Sequence, residues 1–197
     1  DPFTDLEINV RAQLAIVESC RYHNPEIRII HASTRQQYGS PMYLPVDEAH
    51  LVQPTDVNGI HKAAGEMYQM VYTKVYGLRA TSLRITNTYG PRQLLKHNRQ
   101  GFVAWFVRQA LEGGEIKLFG GGTQVRDMTY VDDVVEAMLL AAADDDGIGE
   151  IYNVGGLRPI SLKEIAETLI QLSGHGSCSY EPFPAHLKTI DIGDFYT

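Results

Sequence analysis

Short β-branched runs at residues 27–32 (IRIIHA) and 79–85 (RATSLRI) each follow a longer segment of helical period, and this alternation constrains the fold more than any other feature. An apolar run of that kind suits a parallel strand buried on both faces. Ahead of the first run, Leu6, Ile8, Val10, Leu14, Ile16 and Val17 recur near helical spacing behind Thr4 and Asp5. They predict a helix over 4–20, stopped by Asn24-Pro25. A loop rich in Gly and Pro (39–54) leads to a second predicted helix, 57–76, which ends at Gly77 as a C-cap. Beyond it the pattern predicts helix 101–111, strand 116–119, a glycine turn at 120–122, helix 131–143 and strand 150–154. A last helix, 162–172, opens on Ser161 with Glu164 completing a capping box. The class is α/β with partly parallel pairing. After about residue 92 the elements shorten and glycines punctuate them more often, which predicts a second, smaller lobe.

Composition removes several classes of function. A net charge of −7 with no basic run argues against nucleic acid as a partner. No apolar run reaches the roughly 18 residues of a membrane span, and the acidic opening does not read as a signal peptide. Two cysteines, Cys20 and Cys178, make no disulfide framework and suit a reducing cytoplasm. The seven histidines show no metal-ligand spacing, so no metal is expected. A doubly wound dinucleotide domain opens strand, glycine loop, helix. This sequence opens on a helix, and Gly120-Gly121-Gly122 follows a strand but precedes no helix, so it reads as a turn.

Four segments carry chemistry, in order along the chain. Ser33-Thr34-Arg35-Gln36-Gln37-Tyr38-Gly39 follows the first strand, and Pro54-Thr55-Asp56-Val57-Asn58-Gly59-Ile60-His61-Lys62 leads into Ala63-Ala64-Gly65-Glu66. Leu83-Arg84-Ile85-Thr86-Asn87-Thr88-Tyr89-Gly90-Pro91-Arg92 ends the second strand. Phe119-Gly120-Gly121-Gly122-Thr123-Gln124-Val125-Arg126-Asp127 runs on to Tyr130-Val131-Asp132-Asp133. Together they resemble the landmarks of the extended short-chain dehydrogenases/reductases, the NAD-dependent nucleotide-sugar epimerases and dehydratases. Residues 90–133, with Gln100 to Trp105, look most like the CDP-tyvelose 2-epimerase-like members. The resemblance covers nearly the whole chain but not the family's N-terminal glycine-loop segment. It implies part of a Rossmann-like doubly wound parallel sheet with a smaller α/β substrate-binding lobe. Residues 1–92 would be the C-terminal part of the NAD-binding domain. Residues 93–197 would mainly form the nucleotide-sugar lobe, with some segments returning to the sheet.

The same resemblance implies roles. Thr34 falls where the family keeps the Ser or Thr that hydrogen-bonds the reacting sugar hydroxyl, although a strand-end threonine also caps local backbone. Lys62 falls on the lysine that holds the nicotinamide ribose, and Asn58 and Thr86 complete the expected NAD contacts. Asn87 matches a diphosphate-region asparagine and Arg126 a diphosphate arginine, whose planar fork suits anionic oxygens. Read alone, those two are a turn asparagine and an ion pair with Asp127. Lys117 and Phe119 would line the nucleobase. The helices 4–20 and 57–76 match those of a family homodimer interface.

Two departures qualify the chemistry. Asn58, four residues before Lys62, stands where the family pattern has a tyrosine, and a carboxamide cannot exchange a proton as a phenol does. His61, nearly on the same face and titrating near neutrality, is a candidate proton shuttle in its place. Arg35 and Gln36 replace the acidic pair of the dehydratases, which favours an epimerase. Asp191-Ile192-Gly193-Asp194 sits where an arginine often precedes Pro-Gly-Asp. The expected function is an NAD-dependent epimerase acting on a nucleotide-diphosphate sugar through a keto intermediate, with the isolated chain expected to be inactive. The alternatives are a catalytically impaired nucleotide-sugar binder and a fragment of a longer epimerase/dehydratase.

Overall fold

The computed structural model describes residues 1–96, 101–184 and 191–197, so Gln100 of the family-like stretch lies outside the described residues. The first helical segment comprises α1 (Pro2–Leu6), a π-helical turn (Glu7–Arg11) and α2 (Ala12–His23). Its start is capped by Asp1, whose carboxylate accepts the Phe3 amide. β1 (Arg28–Thr34) and β2 (Arg79–Ile85) pair in parallel, and α3 (Val57–Tyr76) connects them. Asp56 caps α3 by accepting the Gly59 amide, and Gly77 closes it at φ +73°.

After Ile85 the chain leaves this sheet. β3 (Asn87–Tyr89) pairs instead with β5 (Val125–Tyr130), and β7 (Pro159–Ser161) lies antiparallel on the other side of β5. β6 (Ile151–Val154) returns to the first sheet in parallel beside β2, giving the order β1-β2-β6. α4 (Phe102–Leu111), β4 (Glu115–Phe119), α6 (Leu162–Ser173) and β8 (Ser177–Glu181) form the remainder, with β4 and β8 parallel. Phe106, Ala110, Ile116, Leu118, Ile165 and Ala166 are its buried core. The expected capping box at Ser161 and Glu164 opens α6.

Side-chain alternation shows that the first sheet is covered on both faces. Ser33 and Ser82 point to the side of α3, where Gln37 and Glu66 join them. Arg28 points the other way, to the Ala141 carbonyl of α5 (Val131–Ala143). The result is the expected doubly wound α/β arrangement, with β1 at the edge of its sheet among the described residues. β3, β5, β7 and β8 went unforeseen, being short and mostly polar.

Candidate functional site

In a parallel sheet, ligands meet the crevice beyond the carboxyl ends of the strands, where the topology switches. Here those ends are Thr34 and Ile85, and the switch is the departure of β3 toward β5. A cavity of about 200 Å³ opens there, lined among others by Arg35, Gln36, Thr55, Asp56, Arg126 and Asp191.

Arg35 and Arg126 reach this cavity from the turn after β1 and from β5. Arg126 begins β5 and is buried, and its Nη1 donates to the carbonyls of Val125 (2.8 Å) and Gly193 (2.6 Å). It forms no ion pair with Asp127, whose carboxylate instead accepts the amide (3.2 Å) and hydroxyl (2.9 Å) of Thr197. Arg35 begins the short 3-10 turn Arg35–Tyr38, with its guanidinium 5.0 Å from the centre of the Phe195 ring. Burial, and then the charge of Arg126, bring its pKa down to about 10. Asn87 bridges the two strands: its Oδ1 lies 3.5 Å from an Arg35 nitrogen, and its Nδ2 donates to the Asp127 carbonyl at 3.1 Å.

Thr34 is adjacent to the cavity, and its hydroxyl accepts the Gln36 amide at 3.3 Å, as a strand-end cap does. Asn58 and His61 turn instead to the N-terminal helix. Asn58 Nδ2 donates to Asp5 Oδ2 at 2.9 Å, and His61 Nδ1 lies 2.8 Å from Asp5 Oδ1. The Asn58 bond, followed by His61 and Asn9, holds the Asp5 carboxyl below its usual value against a smaller penalty from burial. Thr86 shares a 2.9 Å hydroxyl contact with Thr129. Lys62 is half-buried, and its ammonium has no hydrogen-bond or carboxylate partner among the described residues. Of the three residues expected at a dinucleotide, Lys62 is the one whose side chain has no such partner among the described residues.

Lys117 and Phe119 stand apart, on β4. Lys117 is exposed and pairs with Glu181 at 2.7 Å, while Phe119 stacks near Phe183 with ring centres 5.9 Å apart. Tyr38 is fully buried: Arg84 donates to its hydroxyl (2.7 Å), which donates on to Asn153 (2.8 Å). Arg35, Gln36 and Asp56 also line the cavity. Their sequence signal is slight: for Arg35, a charged residue directly after a buried strand.

Residues 1–155 match the model of the NAD dependent epimerase/dehydratase family. A putative UDP-glucose 4-epimerase of Methanocaldococcus jannaschii is 34% identical over 169 residues, 86% of this chain and 54% of that protein. A CDP-paratose 2-epimerase of Salmonella typhi is 31% identical, covering 86% of this chain and 57% of its own length. The crystal structure of a UDP-glucose 4-epimerase with UDP-glucose from Thermotoga maritima superposes with TM-score 0.88 at 32% identity, over 100% of this chain and 63% of that one. A Thermus thermophilus UDP-glucose 4-epimerase complexed with NAD gives 0.85 at 32% identity, over the same shares. The chain spans about half the length of these curated relatives.

Proposed function

This chain belongs to the NAD dependent epimerase/dehydratase family, and from that premise we propose that it acts as an NAD-dependent epimerase on a nucleotide-diphosphate sugar. The observation that carries the reading is the cavity at the carboxyl ends of the parallel strands, lined by Arg35 and Arg126, with Thr34 preceding Arg35 in the chain and Asn87 contacting Arg35. Arg126 and Asn87 hold the diphosphate region, Thr34 orients the reacting hydroxyl and Lys62 holds the cofactor ribose. Lys117 and Phe119 face the nucleobase from β4. NAD bound there would accept a hydride from a sugar carbon and return it to the opposite face. His61, although its Nδ1 is held 2.8 Å from Asp5 Oδ1, is the candidate in place of the phenol to take the hydroxyl proton and give it back when the hydride returns.

Residues 1–92 serve the cofactor and 93–197 mainly the nucleotide sugar, with β6 closing back onto the first sheet. The chain acts in the cytoplasm as a homodimer. In support, Ile60, Met67, Val71 and Val75 expose an apolar stripe on α3, next to Phe3, Ile8 and Ile16 on the N-terminal helices. No helix among the described residues is long and apolar enough to cross a membrane.

The bond between Asn58 and Asp5 favours a second reading, a binder without turnover, because it fixes a non-titrating group where the family places its phenol. Calorimetry with UDP- and CDP-sugars and with NAD separates the two. Binding of both ligands, with turnover lost in His61→Ala, supports the epimerase. Sugar-nucleotide binding without NAD binding leaves only the binder, and binding of neither ends both readings.

A further inference from the structure

We propose that Arg35 is a second binding residue for the substrate's diphosphate, closing on it from the turn after β1 while Arg126 closes from β5. The inference rests on the nucleotide-sugar reading above and adds to it a cation that the resemblance did not assign.

Two guanidiniums share one cavity of about 200 Å³, and neither has a carboxylate within 4.0 Å among the described residues. Desolvating like charges side by side is unfavourable unless an anion joins them. The two acids that line the cavity, Asp56 and Asp191, are held by other donors, and Asp127, whose charge acts on both arginines, lies outside the lining and makes no hydrogen bond to either of them among the described residues. Asp191 Oδ1 accepts from Gln124 Nε2 (2.6 Å) and from the Gly193 amide (3.2 Å). Asp56 accepts the Gly59 amide (2.6 Å) and Gln36 Nε2 (3.2 Å). The anion that satisfies both arginines therefore comes from outside.

Its class follows from size and geometry. A space of about 200 Å³ takes a phosphate pair and leaves base and sugar to either mouth. Each planar fork can bind two anionic oxygens, so two forks from different elements match two linked phosphates better than one. Both forks are already aimed. Arg35 lies over the Phe195 ring and beside Asn87 Oδ1, and Arg126 is tied to the Gly193 carbonyl. Ordering them on binding therefore costs little. Because Arg35 directly follows Thr34, it sits at the sugar-proximal phosphate.

The test titrates inorganic pyrophosphate, UDP and inorganic phosphate into the chain and into Arg35→Gln, Arg35→Lys and Arg126→Gln. The wild type should bind pyrophosphate and UDP more tightly than phosphate. Arg35→Gln should weaken both diphosphates by about tenfold or more, the scale of one charged hydrogen-bonded contact, and phosphate by much less. Arg35→Lys keeps a cation over Phe195 but not the fork, and should fall between, which covers the case of a Gln variant that does not fold. A wild-type affinity for pyrophosphate in Arg35→Gln, with loss in Arg126→Gln, overturns the inference and leaves the nucleotide-sugar reading standing. A wild type that binds no diphosphate overturns both.

Discussion

His31 shows how one buried side chain sets a pH dependence. It lies on β1 facing α3, 6% exposed, with Nε2 lacking a partner among the described residues. Burial, then the charge of Lys62, bring its pKa from 6.5 down to about 4, and Glu66 opposes them. The folded state therefore resists the proton that the unfolded chain accepts. This contribution is fully present above pH 6.5 and is lost as the pH falls from there toward 4, on the order of 3 kcal/mol in all. Urea unfolding followed across that window should show the slope, and His31→Gln should flatten it. An unchanged slope in the variant would place the titration elsewhere. Beside it, Glu66 and Arg84 pair at 2.6 Å, with Ser82 and Gln37 donating to the same carboxylate. Burial pushes the Glu66 pKa up, but the Arg84 bonds and charge outweigh it and the net direction is down. Arg84 and Glu66 were visible as motif letters. Their partnership was not, because 18 residues separate them and only the α3 crossover brings them together.

Among the elements, α3 is placed by what its glycines permit. A Cβ on Gly65 would lie 2.9 Å from the Asn9 carbonyl, so the π-helical turn and α3 meet backbone to backbone there. Gly65→Ala should cost about 1–3 kcal/mol despite alanine's better helix propensity, as over-packing does. Chemical denaturation measures it, and a stabilised variant would contradict so close an approach. The long helices and two buried strands were legible because their apolar period or β-branched run is a local signal. α3 starts and stops at the expected residues since Asp56 and Gly77 cap it. β3, β5, β7 and β8 carry no such signal. Asn87–Tyr89 becomes a strand through pairing with Met128–Tyr130, a partner some 40 residues away.

For the whole molecule, the open edges matter most. β1 has β2 on one side and no strand on the other among the described residues, and the apolar stripe of α3 faces outward beside Phe3, Ile8 and Ile16 of the N-terminal helical segment. Both features invite association. The 197-residue chain should scatter light as a species heavier than its 22.0 kDa, and Val71→Glu should reduce that mass if the α3 stripe is the contact. A monodisperse 22.0 kDa particle at micromolar concentration would count against both edge and stripe. By itself the sequence determined the α/β class, the order of the principal helices and strands, and the family. These rest on local period, capping and spacing, which need no knowledge of distant neighbours. Only the tertiary structure decided that Asn58 and His61 turn to Asp5, that Arg126 ignores Asp127, and that Arg35 shares its cavity. The reason is physical: a charged group's partner is whichever donor or acceptor the packed strands bring within about 3 Å, and sequence distance does not fix that.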